Sequence, residues 1–419
     1  MIQVFKFGGA SVKDSAAVRN MCDIVRTFCS DSLVVVVSAM GKTTNAIERI
    51  HAARFRGEPF QHELEELTQY HEQMVEELFG DDPSGSTALR AQLEALGQVL
   101  TAPSSGNFDQ DYDSLIGYGE LISTAIVQAY LSYQGITSRW FDAREIIITD
   151  NRYRDARVNW EMSATHISPM EKALNEKEVC VIQGFIGSTS DGHSTSLGRE
   201  GSDFTASIMA YLLNASDVTI WKDVPGMLNA DPKKFNDTVK LDRISFKEAI
   251  ELAYYGASVI HPKTIKPLQN KGIPLWIKSF VNPELSGTLI HESTANDNGV
   301  PSYIIKENQV LVSVSTRDFS FIVEDNLKEI FDCLSRLGIR IHLMENSAIS
   351  FSLVFDFDNY KLNSLLQELN KSYQVLYNED LTLMTVRHCD DTIVKKITAD
   401  KEIILEQRSR NTLRMLLKM

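Results

Sequence analysis

Ile2-Gln3-Val4-Phe5-Lys6-Phe7-Gly8-Gly9-Ala10-Ser11-Val12 follows Met1 and governs how the later segments are read. Apolar residues alternate up to Lys6, two glycines follow, and Val18, Met21, Ile24, Val25 and Phe28 then recur at helical spacing. The order is strand, glycine turn and helix start, with one cation at the strand's end. Glycines in such a turn let backbone amides approach an anion, and a helix start adds partial positive charge. A lysine beside them holds phosphate as a point charge. An ordinary turn with a snorkelling lysine has the same spelling, so these residues alone leave both readings open.

The rest of the chain sets the bounds. Its 419 residues exceed one typical domain, so two or more are expected. A net charge of −14, with no dense Lys/Arg block, argues against nucleic acid or an anionic membrane as partner. Cys22, Cys29, Cys180, Cys333 and Cys389 are odd in number and never form a C-x-x-C pair, which fits structural thiols in a reducing cytoplasm. The N-terminus runs at once into a strand without a signal-peptide pattern, and the aliphatic run Leu33–Val37 is far too short for a bilayer. A cytoplasmic protein is expected.

Leu33–Val37 reads as a central parallel strand, apolar on both faces. It empties into Ser38-Ala39-Met40-Gly41-Lys42-Thr43-Thr44-Asn45 ahead of a second helix. Gly41-Lys42-Thr43 is not a P-loop, because Val36 stands where that motif needs glycine. Strand, helix, strand predicts a doubly wound, mainly parallel α/β sheet with its ligands beyond the strands' carboxyl ends. Residues 46 to about 131 read as helical, with breaks near Gly80–Ser86 and Ala102–Gly106. His71-Glu72 lacks the second histidine of a zinc-protease helix, Val75 standing there, and no metal site is expected. Gly119-Glu120 opens an apolar helix, where the glutamate either complements the helix dipole or receives a ligand's ammonium.

Glu178–Ile186 is another buried strand, followed by Ser196-Leu197-Gly198-Arg199-Glu200-Gly201-Ser202-Asp203 and a helix over Phe204–Leu213. Arg199 could hold a carboxylate bidentately. Asp203 reads either as an N-cap or first-turn acid or as part of a site. Asp217–Trp221 is a strand leading into Lys222-Asp223-Val224-Pro225-Gly226. The helix Phe246–Tyr255, the segment Ser258-Val259-Ile260-His261-Pro262 and a last strand over Pro274–Ile277 complete this region, with a structural role expected for His261. Polar residues 292–299 form a linker. Beyond it, strand, helix, strand, strand, helix and strand over 310–377 make a ferredoxin-like βαββαβ unit. Three strand-like runs over Leu381–Met419 are either a partial second copy or strands completing the first.

These motifs, together with Phe141-Asp142-Ala143-Arg144, Asp231-Pro232, Gly256-Ala257, Asn282-Pro283 and Gly287-Thr288, occur in the order of the aspartate kinases, which the chain resembles. The resemblance implies an amino acid kinase domain over residues 1–292 and an ACT-like regulatory region over 305–419. The latter would hold one full module near 310–380 and a partial second near 381–419. It implies ATP-dependent phosphorylation of the L-aspartate side-chain carboxylate to 4-phospho-L-aspartate, the first step toward lysine, threonine and methionine. Mg²⁺ would accompany the nucleotide. By the same resemblance Lys6 and Asp203 are catalytic, and Ser38, Thr44, Glu120 and Arg199 hold aspartate. Lys6, Phe7, Gly8, Gly9, Lys222, Asp223, Leu228, Lys233, Ser258 and Val259 line the nucleotide.

The chain departs from the family at Ala10 (usually threonine), Leu228 (often tyrosine), Lys233 (arginine) and Ser258 (often lysine). His342 and Ala348 stand where lysine-sensitive members carry acids, so a lysine effector would lack those partners. The chemistry fits the residues. A carboxylate acceptor with pKa near 3.9 is already ionised, so no general base is needed and positioning against charge repulsion is the task. A homodimer and an amino-acid effector are further expectations. The alternatives are a kinase for another amino acid and a catalytically weak amino-acid sensor of the same fold.

Overall fold

The computed structural model describes residues 1–29, 32–257, 260–297, 299–318, 320–388 and 401–418. They fall into two compact units. The first comprises Met1–Met227, Lys240–Ala253 and Ser258–Asp297; the second comprises Leu228–Val239, Tyr254–Ala257 and Asn298–Met419. The polar run near 292–299 is thus one boundary, but two short inserts from earlier in the chain also pack with the second unit. Sequence pattern does not signal such inserts, because they carry no core of their own.

The first unit's strands are β1 (Ile2–Phe7), β2 (Ser32–Val37), β3 (Ser138–Phe141), β4 (Ile148–Thr149), β5 (Val179–Gln183), β6 (Ile186–Thr189), β7 (Ser194–Ser196), β8 (Asp217–Lys222), β9 (Arg243–Ser245), β10 (Leu275–Ser279) and β11 (Thr288–His291). Eight form one sheet in the order β3-β5-β2-β1-β8-β10-β11-β9, parallel except where β10 meets β11. Crossovers to either side of β1 make it doubly wound. β4, β6 and β7 form a separate small sheet. Pro274–Ile277 is therefore not the last strand: β11 follows it and β9 precedes it, each too short to show a period of two.

Twelve helices accompany these strands among the described residues: α1 (Ser15–Phe28), α2 (Thr43–Arg56), α3 (Gln61–Phe79), α4 (Pro83–Thr101), α5 (Phe108–Ile116), α6 (Tyr118–Tyr133), α7 (Ala143–Ile146), α8 (Trp160–His166), α9 (Ser168–Asn175), α10 (Gly201–Leu213), α11 (Phe246–Tyr255) and α12 (Pro262–Lys271). The expected breaks at Gly80 and after Ala102 occur, and a further one at Gly57, where φ is +70°, separates α2 from α3. Leu33–Val37 is wholly buried, as a central strand requires. α10 packs on β1, β2 and β8, and α6 on β2, β3 and β5. His261 caps α12, its Nδ1 accepting from the Lys263 amide at 3.1 Å. No helix among the described residues is long and apolar enough to cross a membrane.

The opening motif differs from expectation in one respect. Gly9–Val12 form a 3₁₀ turn, and α1 begins only at Ser15, capped by the Asp14 carboxylate, which accepts from Ala17 N at 2.8 Å. The amides beside the glycines thus belong to a tight turn, whose leading N–H groups have no partner within it.

The second unit holds β12 (Ser302–Thr316), α13 (Glu324–Arg336), β13 (Ile341–Asn346), β14 (Ser350–Asp356), α14 (Asn359–Leu369), β15 (Tyr373–Arg387), β16 (Glu402–Arg408) and β17 (Thr412–Lys418). All six strands join one antiparallel sheet, ordered β13-β14-β12-β15-β17-β16. Val310, Val312, Val314, Leu353 and Phe355 pack on Ile330, Leu334 and Leu365 of the two helices. β15 runs on past Tyr377 through the exposed run Asn378-Glu379-Asp380, where Asp380 takes φ +56°, so one strand looks like two in sequence. Its second half pairs with β12 and β17, so the described part of 381–419 extends the first sheet. Residues 389–400, with Cys389, lie outside the described residues.

Candidate functional site

In-register pairing fixes where the site forms. Lys6 lies opposite Val36 of β2 and Ile220 of β8, so β1, β2 and β8 end along one rim. Beyond that rim is a cavity of about 590 Å³. Its lining includes Lys6, Gly9, Ser38, Thr44, Glu120, Arg199, Asp203 and Lys222, drawn from five stretches spread over more than two hundred residues of chain. Gly9 permits the closeness of two of them. A Cβ there would stand 2.7 Å from the Ala39 carbonyl oxygen, and the Gly41 amide donates to the Gly9 carbonyl at 3.2 Å.

Asp203 sits in the first turn of α10, where Glu200, at φ +54°, occupies the N-cap position. It is therefore a first-turn acid and not the cap. Its Oδ1 is 2.6 Å from Lys6 Nζ and its Oδ2 is 3.2 Å from Lys222 Nζ. Burial by itself would raise the Asp203 pKa, but the two ammonium groups outweigh it and hold the carboxyl below its ordinary range. The result is a desolvated cation–anion–cation cluster at the strand ends, with Lys6 only 7% exposed.

Glu120 sits in the first turn of α6 and is 3% exposed. Its Oε1 accepts from the Ala39 amide at 3.2 Å, whereas Oε2 has no hydrogen-bond partner. Burial pushes its pKa up to about 8, against weaker lowering by the Ala39 amide and by Lys6. A buried carboxyl with one unsatisfied oxygen facing a cavity is suited to an incoming ammonium group. Ser38 is fixed by its carbonyl, which accepts from Ser123 Oγ at 2.8 Å. Thr44 follows Thr43, whose hydroxyl donates to the Met40 carbonyl at 2.7 Å and lies 3.3 Å from the buried His71 ring.

Not every expected residue gathers here. The Phe7 side chain is fully buried and stacks on Trp221, so only its backbone could serve a ligand. Gly8 adjoins Lys6, and Asp223 is exposed just past β8; neither lines the cavity. Leu228 and Lys233 belong to the segment grouped with the second unit. Ser258 and Val259 lie outside the described residues. His342 is held inside the second unit, Nε2 to Asp356 Oδ2 at 2.9 Å, with Lys306 Nζ 3.2 Å from Nδ1. The sequence reading missed Glu48, Tyr112, Arg154, Phe185 and Glu200, all of which line the cavity. Glu48, one helical turn after Thr44, and Glu200, inside the Ser196–Asp203 motif, carried a signal. Tyr112 and Arg154 are brought in by α5 and by an irregular loop.

Residues 1–279 match the amino acid kinase family. The chain belongs to that family. Within it, the chain is 32% identical over 400 residues to lysine-sensitive aspartokinase 3 of Escherichia coli, covering 92% of this chain and 86% of that protein. It is 30% identical over 391 residues to the bifunctional aspartokinase/homoserine dehydrogenase 2 of Arabidopsis thaliana, spanning 89% of this chain and 42% of that longer protein. Among solved structures of the family, E. coli aspartokinase III in complex with lysine and aspartate superposes with a TM-score of 0.83 at 29% identity, over 99% of this chain and 95% of that one. The same enzyme with aspartate and ADP gives 0.81, over 100% of this chain and 96% of that one, also at 29% identity.

Proposed function

We infer that the chain transfers the γ-phosphoryl group of ATP to the side-chain carboxylate of L-aspartate, giving 4-phospho-L-aspartate. The observation that carries this reading is the meeting, in one cavity, of the Lys6–Asp203–Lys222 cluster with Glu120 and Arg199. An amino acid acceptor brings an ammonium and an α-carboxylate, and Glu120 and Arg199 are the matching groups. Ser38 and Thr44, which bear hydroxyls, line the same cavity.

The reaction joins two anions, so its barrier is largely electrostatic. Lys6 stands where it can neutralise the transferring phosphoryl group, with the amides beside Gly8 and Gly9 adding donors. Asp203 holds Lys6 in place, and Lys222 extends the positive rim toward the nucleotide. No proton need be removed from the acceptor, so the bond to phosphorus forms from a carboxylate oxygen as ADP leaves. Magnesium enters as part of the nucleotide substrate. Among the described residues no cluster of three or more His, Cys, Asp or Glu side chains is placed to hold a metal ion, and Asp203 is engaged by two lysines.

The Phe7 backbone, Gly8, Gly9 and Asp223 complete the first unit's nucleotide side in this reading. The chain acts in the cytoplasm, where Cys22, Cys29, Cys180 and Cys333 stay as free thiols. It pairs through the sheet of the second unit, whose strand β13 is an open edge. Sedimentation at micromolar concentration, giving a mass twice that of the chain, would support the pairing, and a lone monomer would refute it.

Hydroxamate trapping of acyl phosphate with ATP, Mg²⁺ and a panel of acids tests the assignment. Aspartate-dependent product is expected. Turnover of a different amino acid, or effector binding without turnover, would replace this reading with one of its two rivals.

A further inference from the structure

The cavity contains a second arginine that the sequence motifs did not single out. Arg154 lines it together with Arg199. Its backbone is held at φ +68°, a conformation that residues with side chains seldom adopt and that concentrates at functional positions. What holds it is Asp113, 1% exposed, whose Oδ2 accepts from the amides of both Arg154 and Ser196 at 2.9 Å. Oδ1 of the same carboxylate accepts from Ser196 Oγ at 2.6 Å. The Ala156 amide donates to the Ser196 carbonyl at 2.9 Å. Gly198, at φ +76°, has no room for a Cβ, which would stand 2.7 Å from Asp155 Oδ1 and 3.1 Å from the Arg154 carbonyl oxygen. The Arg154 loop and the segment leading to Arg199 are thus clamped together.

The guanidinium itself is less committed. It lies 4.4 Å over the Tyr112 ring and 3.3 Å from Asp109 Oδ1, in a pair whose two side chains are each about half exposed. Such pairs are weak in solvent. Tyr112 is anchored by donating to Glu48 Oε1 at 2.8 Å, so the ring restricts where the guanidinium can swing.

A charge count gives the arginine a use. Aspartate carries two carboxylates and one ammonium. Of the four cations lining the cavity, Lys6 and Lys222 both pair with Asp203, so Arg199 and Arg154 are the two not engaged by it. Resting on the aspartate kinase reading, we propose that Arg154 is a specificity-determining residue that grips the acceptor's α-carboxylate jointly with Arg199, exchanging exposed Asp109 for the substrate. A planar guanidinium fork suits that task better than an ammonium.

The test compares the purified full-length chain with Arg154→Gln on two acceptors, L-aspartate and L-aspartic acid α-amide, in which the α-carboxylate is neutralised. The amide is read as a KM, or as an inhibition constant against aspartate where it turns over poorly. The substitution is expected to raise KM for aspartate at least about tenfold, leave kcat and KM for ATP within about twofold, and change the amide's constant by less than about twofold. An equal penalty on both acceptors, or an aspartate KM within about threefold of wild type, overturns the role of Arg154 while leaving the aspartate kinase assignment standing. A wild-type chain that forms no acyl phosphate with aspartate overturns both.

Discussion

Glu120 and Asp203 invite comparison because so much about them is the same. Each is a carboxyl in the first turn of a long buried helix, each is at most 3% exposed, and both line one cavity. Burial raises the pKa of both. Asp203 faces two ammonium groups and ends below its ordinary range, whereas Glu120 faces only the backbone amides of Ala39 and of Glu120 itself and more distant Lys6, and ends near 8. The difference lies in partners, and the partners come from other segments. One carboxylate is completed by two lysines of the protein; the other keeps an oxygen with no hydrogen-bond partner.

The largest effect is expected from removing Lys6, the nearer of the two cations that complete Asp203. Lys6→Ala is expected to lower kcat at least about a hundredfold, a loss of roughly 3 kcal/mol of transition-state stabilisation. A purified, folded variant within threefold of wild type would remove Lys6 from the mechanism. At the other carboxyl, Glu120→Gln keeps the shape but offers no charge to an ammonium. Its KM for aspartate should rise about ten- to a hundredfold, with KM for ATP unchanged within about twofold, as initial-rate kinetics will read.

A pH profile sharpens the contrast further. Glu120 must be ionised to pair with an ammonium, and in the unliganded protein it holds its proton up to about pH 8. The value of kcat/KM for aspartate should therefore climb with pH, up to about tenfold per unit below 8, and level off above it. Asp203, with its depressed pKa, stays ionised throughout this range and contributes no slope. Retention of the same slope in Glu120→Gln would assign it to another group.

The smallest expected effect is on stability. Between the unfolded value near 4.5 and the folded value near 8, the unfolded chain releases the Glu120 proton while the folded chain keeps it. Stability is therefore lost as pH rises through that window, and below it Glu120 imposes no cost. Glu120→Gln should raise the melting temperature by roughly a few degrees at pH 8 and leave it nearly unchanged at pH 4. Equal melting curves at both pH values would mean that Glu120 is not held neutral.

Much of the fold was legible. The all-apolar Leu33–Val37 and the alternating β1 announced parallel strands because burial on two faces leaves a distinct composition. β9 and β11 were not legible, since three or four residues carry no period. Nor was the continuity of β15 through Asn378-Glu379-Asp380, where a polar, irregular stretch mimics a turn. At the site, residues next to glycines or at helix starts could be singled out from local chemistry. Arg154, Tyr112 and Asp113 could not, because an irregular loop and a helix face give no motif.

By itself, then, the sequence determined the strand–turn–helix units, the glycines at their junctions, and the handful of cations and acids set at strand and helix ends. Those are properties of neighbours along the chain, and local sterics and hydrophobic period suffice for them. Packing of distant segments set which acid is charged and which is neutral, which lysines pair with Asp203, and which second arginine enters the cavity. Those outcomes depend on distances between segments as far apart as residues 6, 113, 154 and 203, and electrostatic energy is set by that separation and by the water excluded from it.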